Sequence, residues 1–294
     1  MAALSSFLRL IRPHQWLKNA LVFVPVLLAQ RFDLATVGMA ALAFVAFSLV
    51  ASSVYVLNDR IDVAADRAHP RKRHRPFASG AIDLNAAPWL AAGLLLAGGL
   101  VSAAIGPAFL LVVIGYYLVT LAYSLYLKRQ IVIDICTLAG LYAFRLVAGG
   151  VASGIQLSVW LLAFSGFLFF ALAAVKRQAE LAEAVAKGTP EIQGRGYLPS
   201  DMPIVAAMAL AASYVAVLVL SLYLRTPEIV GHYETPWILW GIPLILFYWL
   251  NRIVLLTHRR RMHDDPIVFA MRDPISLLCT AATFVLAAAS LQAW

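Results

Sequence analysis

Nine stretches of mostly apolar residues, most of them about twenty residues long, leave few folds open to this chain. A hydrocarbon layer about 30 Å thick takes about 20 residues of helix to cross. The stretches fall at 16–31, 36–58, 86–106, 107–127, 131–152, 157–175, 203–224, 235–256 and 274–293. The first is the weakest, being short and interrupted by Pro25. Ahead of it, Leu4, Phe7, Leu8 and Ile11 with Arg9 and Arg12 have the pattern of an amphipathic helix lying on a membrane surface. No small-residue cleavage site follows the first apolar run, so no cleaved signal peptide is expected. Of 294 residues, 62% are hydrophobic and 13% charged, against about 45–50% apolar and about 25% charged in soluble domains. That composition excludes a disordered chain, a disulfide scaffold and an ordinary soluble enzyme. The expected fold class is all-α: a polytopic membrane protein of nine transmembrane helices in a single integral-membrane domain, 1–294.

The net charge of +8 is a topology signal before it is a nucleic-acid signal. With the N-terminus on the cytoplasmic side, 20 of the 23 Lys and Arg residues fall in cytoplasmic segments. Only Arg31 and Arg225 lie on the other side, and Arg145 lies inside a span. This is the positive-inside pattern of an inner (cytoplasmic) membrane protein. Twelve of the fifteen acids also gather on the cytoplasmic side, which orientation does not require. Cys136 and Cys279 lie in apolar runs and give neither a disulfide framework nor a metal spacing.

Three cytoplasmic connections are long, at 59–85, 176–202 and 257–273. Long connections in a compact bundle are functional or disordered. The first continues the second span as NDRIDVAADRAHPRKRHRPFASG. Asn58, Asp62 and Asp66 stand at i, i+4 and i+8, on one face of a continuing helix. Oxygen donors of this kind suit Mg²⁺, which is held by one or two carboxylates together with substrate phosphates. Arg67, Arg71, Lys72, Arg73 and Arg75 follow, with guanidinium groups suited to phosphate oxygens. The plainer alternative is a solvated helix end laced with ion pairs such as Asp62 to Arg67.

NDRIDVAAD matches the NDxxDxxxD signature of the UbiA superfamily of intramembrane prenyltransferases, and RPFASG resembles its RPxxSG segment. The resemblance implies nine helices around a lipid-accessible cavity, with Mg²⁺-diphosphate held at acidic motifs on helices two and six. At the second motif this chain departs from the pattern. Where DxxxD is usual, it reads AVKRQAELAEA, with Lys176, Arg177 and Glu180. RPHQWLKN (Arg12 to Asn19, including Lys18), YSLYLK (Tyr123 to Lys128), Asp134, YAFRLVAGG with Arg145, and VKRQAEL resemble the decaprenyl-phosphate phosphoribosyltransferase branch. That branch moves 5-phosphoribose from phosphoribosyl pyrophosphate to a polyprenyl phosphate. By this resemblance Asn58, Asp62 and Asp66 hold Mg²⁺, Asp62, Asp66, Lys128, Lys176 and Arg177 are catalytic, and Lys18, Asn58, Arg67, Arg71, Lys72, Arg75, Tyr123, Asp134, Arg145 and Glu180 bind substrate.

Arg145 can be argued from physics alone. A mid-span charge costs about 2.5–3.5 kcal/mol on insertion scales, so it must turn inward to an acid, a carbonyl or a ligand phosphate. The last loop, HRRRMHDDPIVFAMRDPIS, reads as a lid or interface segment, because His258 and His263 lack a metal spacing. Two alternatives stand beside the phosphoribosyl reading. One is prenyl transfer from a lipid diphosphate to an aromatic or other small acceptor, and the other is a transporter with Asp134 and Arg145 lining a path. Homo-oligomerisation is left open.

Overall fold

The structure is a computed structural model describing residues 2–68, 72–189, 192, 194–231, 233–262 and 265–292. Among these the regular structure is entirely helical. The principal helices are α1 (Ala2–Ile11), α2 (Leu34–Ile61), α3 (Ala87–Ile105), α4 (Pro107–Leu125), α5 (Ile133–Ser153), α6 (Val159–Lys187), α7 (Met202–Tyr223), α8 (Gly241–His258) and α9 (Pro274–Ala289). Seven helical stretches, from α2 to α8, are long and apolar enough to cross a membrane.

The expected count of nine is therefore not reproduced, for two physical reasons. The first apolar stretch breaks into Pro13–Trp16, a 3-10 helix Leu17–Phe23 and Val24–Leu28, the last with Pro25 in its first turn. Proline lacks the amide that an uninterrupted helix would need there. At the other end α9 is apolar but has 16 residues, fewer than a full crossing takes. Cys136 is exposed and Cys279 half-buried, so neither is a core thiol. His263 and Asp264 of the last loop lie outside the described residues.

Contacts divide the chain into two compact units. The first comprises Met1–Leu125 and Phe144–Leu157, the second Tyr126–Ala143 and Ser158–Trp294. In the first unit α2 is capped by Asp33, whose carboxylate accepts from the Thr36 amide at 2.9 Å. Those hydrogen bonds hold the exposed Asp33 carboxyl below its usual pKa. The buried face of α2 is built of small residues, including Ala40, Ala43, Ala46, Ala51, Ser52 and Ser53. Against them lies Gly98 of α3, where a Cβ would fall 2.6 Å from Val50 Cγ2 and 3.1 Å from the Ala46 carbonyl. Small residues allow such close helix packing where lipid supplies no hydrophobic drive between helices. Amphipathic α1 turns Leu10 inward beside Val56 and Phe77, which fixes the end of α2 and the loop after it in one cluster.

In the second unit α6 starts at Ser158, which accepts from the Leu161 amide at 3.1 Å, and stops at Gly188 in the left-handed region. Its Ala173, Ala174 and Val175 pack with Val205 and Ala209 of α7 and Ile253 and Val254 of α8. The last turns of α6 run beyond the apolar part, carrying Lys176, Arg177 and Glu180 into polar surroundings.

Candidate active site: two charged groups

In the first unit the charged group grows from the end of α2. Asp62 interrupts regular helix (φ −87°, ψ 4°) before Val63–Ala68 resumes it. Helical hydrogen bonding nonetheless carries across, with the Asp62 amide on the Asn58 carbonyl at 2.9 Å and the Asp66 amide on the Asp62 carbonyl at 2.8 Å. Asn58, Asp62 and Asp66 therefore keep the shared face expected of them. Asp66 is buried and accepts from Arg75 Nη1 at 2.7 Å. Asn58 and Asp62 are half-buried, and among the described residues the Asp62 carboxylate makes no hydrogen bond or ion pair.

Asp59, absent from the expected site, is the hub of this group. It is 2% exposed, and its Oδ1 accepts from both Arg12 and Arg75, the latter at 3.2 Å. Its Oδ2 is buried with no partner among the described residues. Arg12 sits at φ +52°, in the left-handed region that a side chain rarely adopts. The Ile11 carbonyl before it accepts from Ser52 Oγ at 2.8 Å. Arg67 is exposed and donates to the Ala78 carbonyl at 3.2 Å, tying the Arg75–Gly80 loop to the helix end. The donor set suits an ion shared between protein and phosphate oxygens rather than an all-protein cage. Among the described residues, no group of three or more His, Cys, Asp or Glu side chains could hold a metal ion.

The second unit closes its charges on one another. Arg177 is fully buried, donating through Nε and Nη2 to the two oxygens of fully buried Asp134 at 2.7 and 3.0 Å. This is the bidentate fork that favours arginine in buried pairs. Its Nη1 meets Glu180. Arg195 lies 3.1 Å from Asp134 and 3.7 Å from Glu180. Tyr197 lies beneath the Arg177 guanidinium at 5.7 Å, and burial pushes its phenol up. Lys176 reaches Asp265 of the last loop at 3.2 Å, and Asp265 also accepts from Tyr142 at 3.1 Å. The loop expected to be a lid or interface thus contributes a carboxylate here.

Of the remaining expected residues, Lys18, Tyr123 and Lys128 are half-buried, and Lys128 lies in the 3-10 turn Leu127–Arg129. Arg71 and the side chain of Lys72 lie outside the described residues. Arg145 turns inward as its cost demands, and meets an amide carbonyl. It donates to Asn19 Oδ1 at 2.8 Å and Tyr116 Oη at 3.0 Å, and lies 5.1 Å over the Tyr116 ring. Sequence reasoning missed Asp59, Arg195, Tyr197 and Asp265. The signal for Asp59 was available, since it is the second letter of NDRIDVAAD. The others depend on loops folding back, which no local spacing encodes.

Residues 20–272 match the UbiA prenyltransferase family, and the chain belongs to it. It is a multi-pass membrane protein of that superfamily. The y4nM protein of Sinorhizobium fredii is 40% identical over 283 residues, covering 94% of this chain and 55% of that protein. Nodulation protein NoeC of Azorhizobium caulinodans is 37% identical over 268 residues, covering 91% of this chain and 87% of that protein. The decaprenyl-phosphate phosphoribosyltransferase of Mycolicibacterium smegmatis is 44% identical over 186 residues, or 60% of this chain and 57% of that protein. The chain thus spans little more than half the length of two of these relatives. A UbiA homolog from Archaeoglobus fulgidus, solved with GPP and Mg²⁺, superposes with a TM-score of 0.72 over 96% of this chain and 99% of that one. At 17% identity that likeness shows the fold.

Proposed function

We propose that this chain transfers 5-phosphoribose from phosphoribosyl pyrophosphate to a polyprenyl phosphate at the cytoplasmic face of an inner membrane. The observation that carries this reading is the charge reversal on α6. Lys176 and Arg177 stand where the family pattern has acids, within a chain 44% identical over 186 residues to a phosphoribosyltransferase of that class. A donor bearing a phosphate besides its diphosphate has more use for cations than for a second pair of metal-binding acids.

In the proposed reaction a phosphate oxygen of the lipid acceptor bonds to C1 of the ribose as the C1–O bond to diphosphate breaks. The electron pair of that bond leaves with diphosphate. The acceptor is already an anion, so no strong general base is required. Bound Mg²⁺, held by Asp62 and Asp66 with Asn58 nearby, supplies neutralisation of the leaving diphosphate. Arg75 keeps Asp66 in place through its 2.7 Å contact. Lys128, Lys176 and the cations after α2 bind phosphate oxygens, preorganised for the charge that develops as the bond breaks. Lys18, Tyr123, Asp134, Arg145, Arg177 and Glu180 support the substrate sites. The positive-inside pattern of the loops supports the orientation.

The alternative, prenyl transfer to a small acceptor, is favoured by the family's own chemistry and needs the same first motif. One assay separates the two. Purified protein with Mg²⁺ receives labelled phosphoribosyl pyrophosphate plus polyprenyl phosphate, and separately prenyl diphosphate plus aromatic acids. Phosphoribosyl lipid is expected in the first. Its absence, with prenylated product in the second, reverses the assignment. Flux into liposomes without covalent product would instead indicate a transporter.

A further inference from the structure

The connection from α4 to α5 contains a backbone conformation that its own residues do not favour. Val132 sits at φ +65°, and the Ile133 amide donates to the Ile131 carbonyl at 2.7 Å. Val132 is thus the middle residue of a three-residue γ-turn with positive φ, a rare and strained form. Its β-branched side chain makes that conformation an outlier. Val132 is 44% exposed, so side-chain packing does not impose the turn. Strain of this kind persists only where surrounding structure over-determines it, and it clusters at functional sites.

The restraint comes from three consecutive residues that follow α6 in the same unit. Arg195 pairs with Asp134 in the first turn of α5 at 3.1 Å. Gly196 lies so close to the Arg129 carbonyl that a Cβ would stand 2.3 Å from that oxygen. Tyr197, 4% exposed, accepts from the Val132 amide through its hydroxyl at 2.8 Å. Arg177 holds the far side of this arrangement, over the Tyr197 ring and on both oxygens of Asp134. The turn Leu127–Arg129, which carries Lys128, is thereby gripped at its last carbonyl and at the γ-turn three residues later.

We infer that Tyr197 is a positioning residue: by holding the Val132 γ-turn it sets the aim of Lys128 at the donor's phosphates. The role of Lys128 rests on the proposed function; the grip itself does not. Tyr197→Phe removes only the acceptor oxygen. It is expected to speed amide exchange across residues 130–134 and to raise the KM of the diphosphate donor about tenfold, about one hydrogen bond's worth. The kcat and the melting temperature should stay close to wild type. Adding Val132→Gly, which tolerates positive φ without help, should return KM to within about threefold of wild type while exchange stays fast. A merely structural tyrosine would not be rescued in this way.

Unchanged exchange in Tyr197→Phe, or a raised KM that Val132→Gly leaves raised, overturns the inference. So does a loss of kcat and melting temperature together. Should Tyr197→Phe not fold, Gly196→Ala displaces the same segment from the Arg129 carbonyl. The same rise in KM and the same rescue are then expected, and their absence overturns it. If the wild type ignores phosphoribosyl pyrophosphate but uses another diphosphate donor, the proposed function falls. Exchange and rescue, read with that other donor, still decide the role of Tyr197.

Discussion

In the first unit, Arg12 and Arg75 are bound to Asp59 and Asp66 while Asp62 keeps a half-buried carboxylate with no partner among the described residues. In the second, Lys176, Arg177 and Arg195 face Asp134, Glu180 and Asp265, and each of these cations reaches at least one of the acids. The first arrangement keeps an oxygen donor open to a cation. The second turns its charge largely inward, where a buried pair costs much to break even when it adds little net stability. Similar residues near the ends of long apolar helices are thus engaged differently: one carboxylate without a partner among the described residues in the first unit, and cations each paired with an acid in the second.

The sharpest way to break this comparison is to neutralise the open carboxylate. Asp62→Asn is expected to lower turnover by about 10³-fold, the scale seen when one transition-state electrostatic contact is lost. Its melting temperature should match wild type, since no folded-state partner is removed. An equal loss of stability and turnover would show that Asp62 belongs to the scaffold. Next in size is Arg177→Met, which leaves Asp134 buried without its bidentate partner. A destabilisation of about 3–5 kcal/mol is expected, read as a lost or strongly lowered melting transition in detergent. A folded variant of normal stability that cannot bind donor would instead assign Arg177 to the substrate.

A smaller effect is expected of Lys176→Met, the most accessible of the three cations in the second group, at 29% side-chain exposure. It should raise donor KM about tenfold, one charge-assisted contact, with stability changed by less than about 1 kcal/mol. Asp265→Asn sharpens the point, because losing the counter-ion without the cation should leave phosphate binding intact. The smallest effect concerns Asp273. The Arg252 hydrogen bond holds its carboxyl below the usual range, and it caps α9 through the Ser276 amide at 2.8 Å. Since the folded pKa is depressed, this contribution is present above the unfolded value near 3.9 and is lost as pH falls through the folded one. Asp273→Asn should cost about 1 kcal/mol or less at neutral pH. The gap to wild type should then close on acidification.

These contrasts also mark what the sequence could express. The apolar stretches and the face shared by Asn58, Asp62 and Asp66 are local properties with a fixed helical period, so they were readable before any fold was known. Pro25 was equally visible as an interruption, but the 3-10 course of Leu17–Phe23 was not. Within that course Val22 packs against Gly149, 127 residues away in sequence, where a Cβ would stand 2.1 Å from the Val22 carbonyl. The motif placed Asn58, Asp62 and Asp66 one hydrogen-bonded turn apart, yet gave no warning that Asp62 would interrupt the helix, that Arg75 would hold Asp66 or that Asp59 would hold two arginines. Arg177 and Glu180 stand three residues apart, whereas the partnership of Arg177 with Asp134 spans 43 residues. No local pattern reports a pairing of that range.

The broken N-terminal stretch has a consequence for how the chain is made. Irregular backbone at membrane depth is tolerated only where protein covers it, and the Arg145–Asn19 hydrogen bond spans 126 residues of sequence. At roughly 5–20 residues per second, α5 leaves the ribosome roughly 6–25 s after residues 13–28. During that interval residues 13–28 lack the arginine and the glycine surface they dock on, although α1 and α2 are already available to them. Membrane insertion of this segment is therefore out of order: it is translated ahead of α2, α3 and α4, yet it is seated only once α5 has followed them.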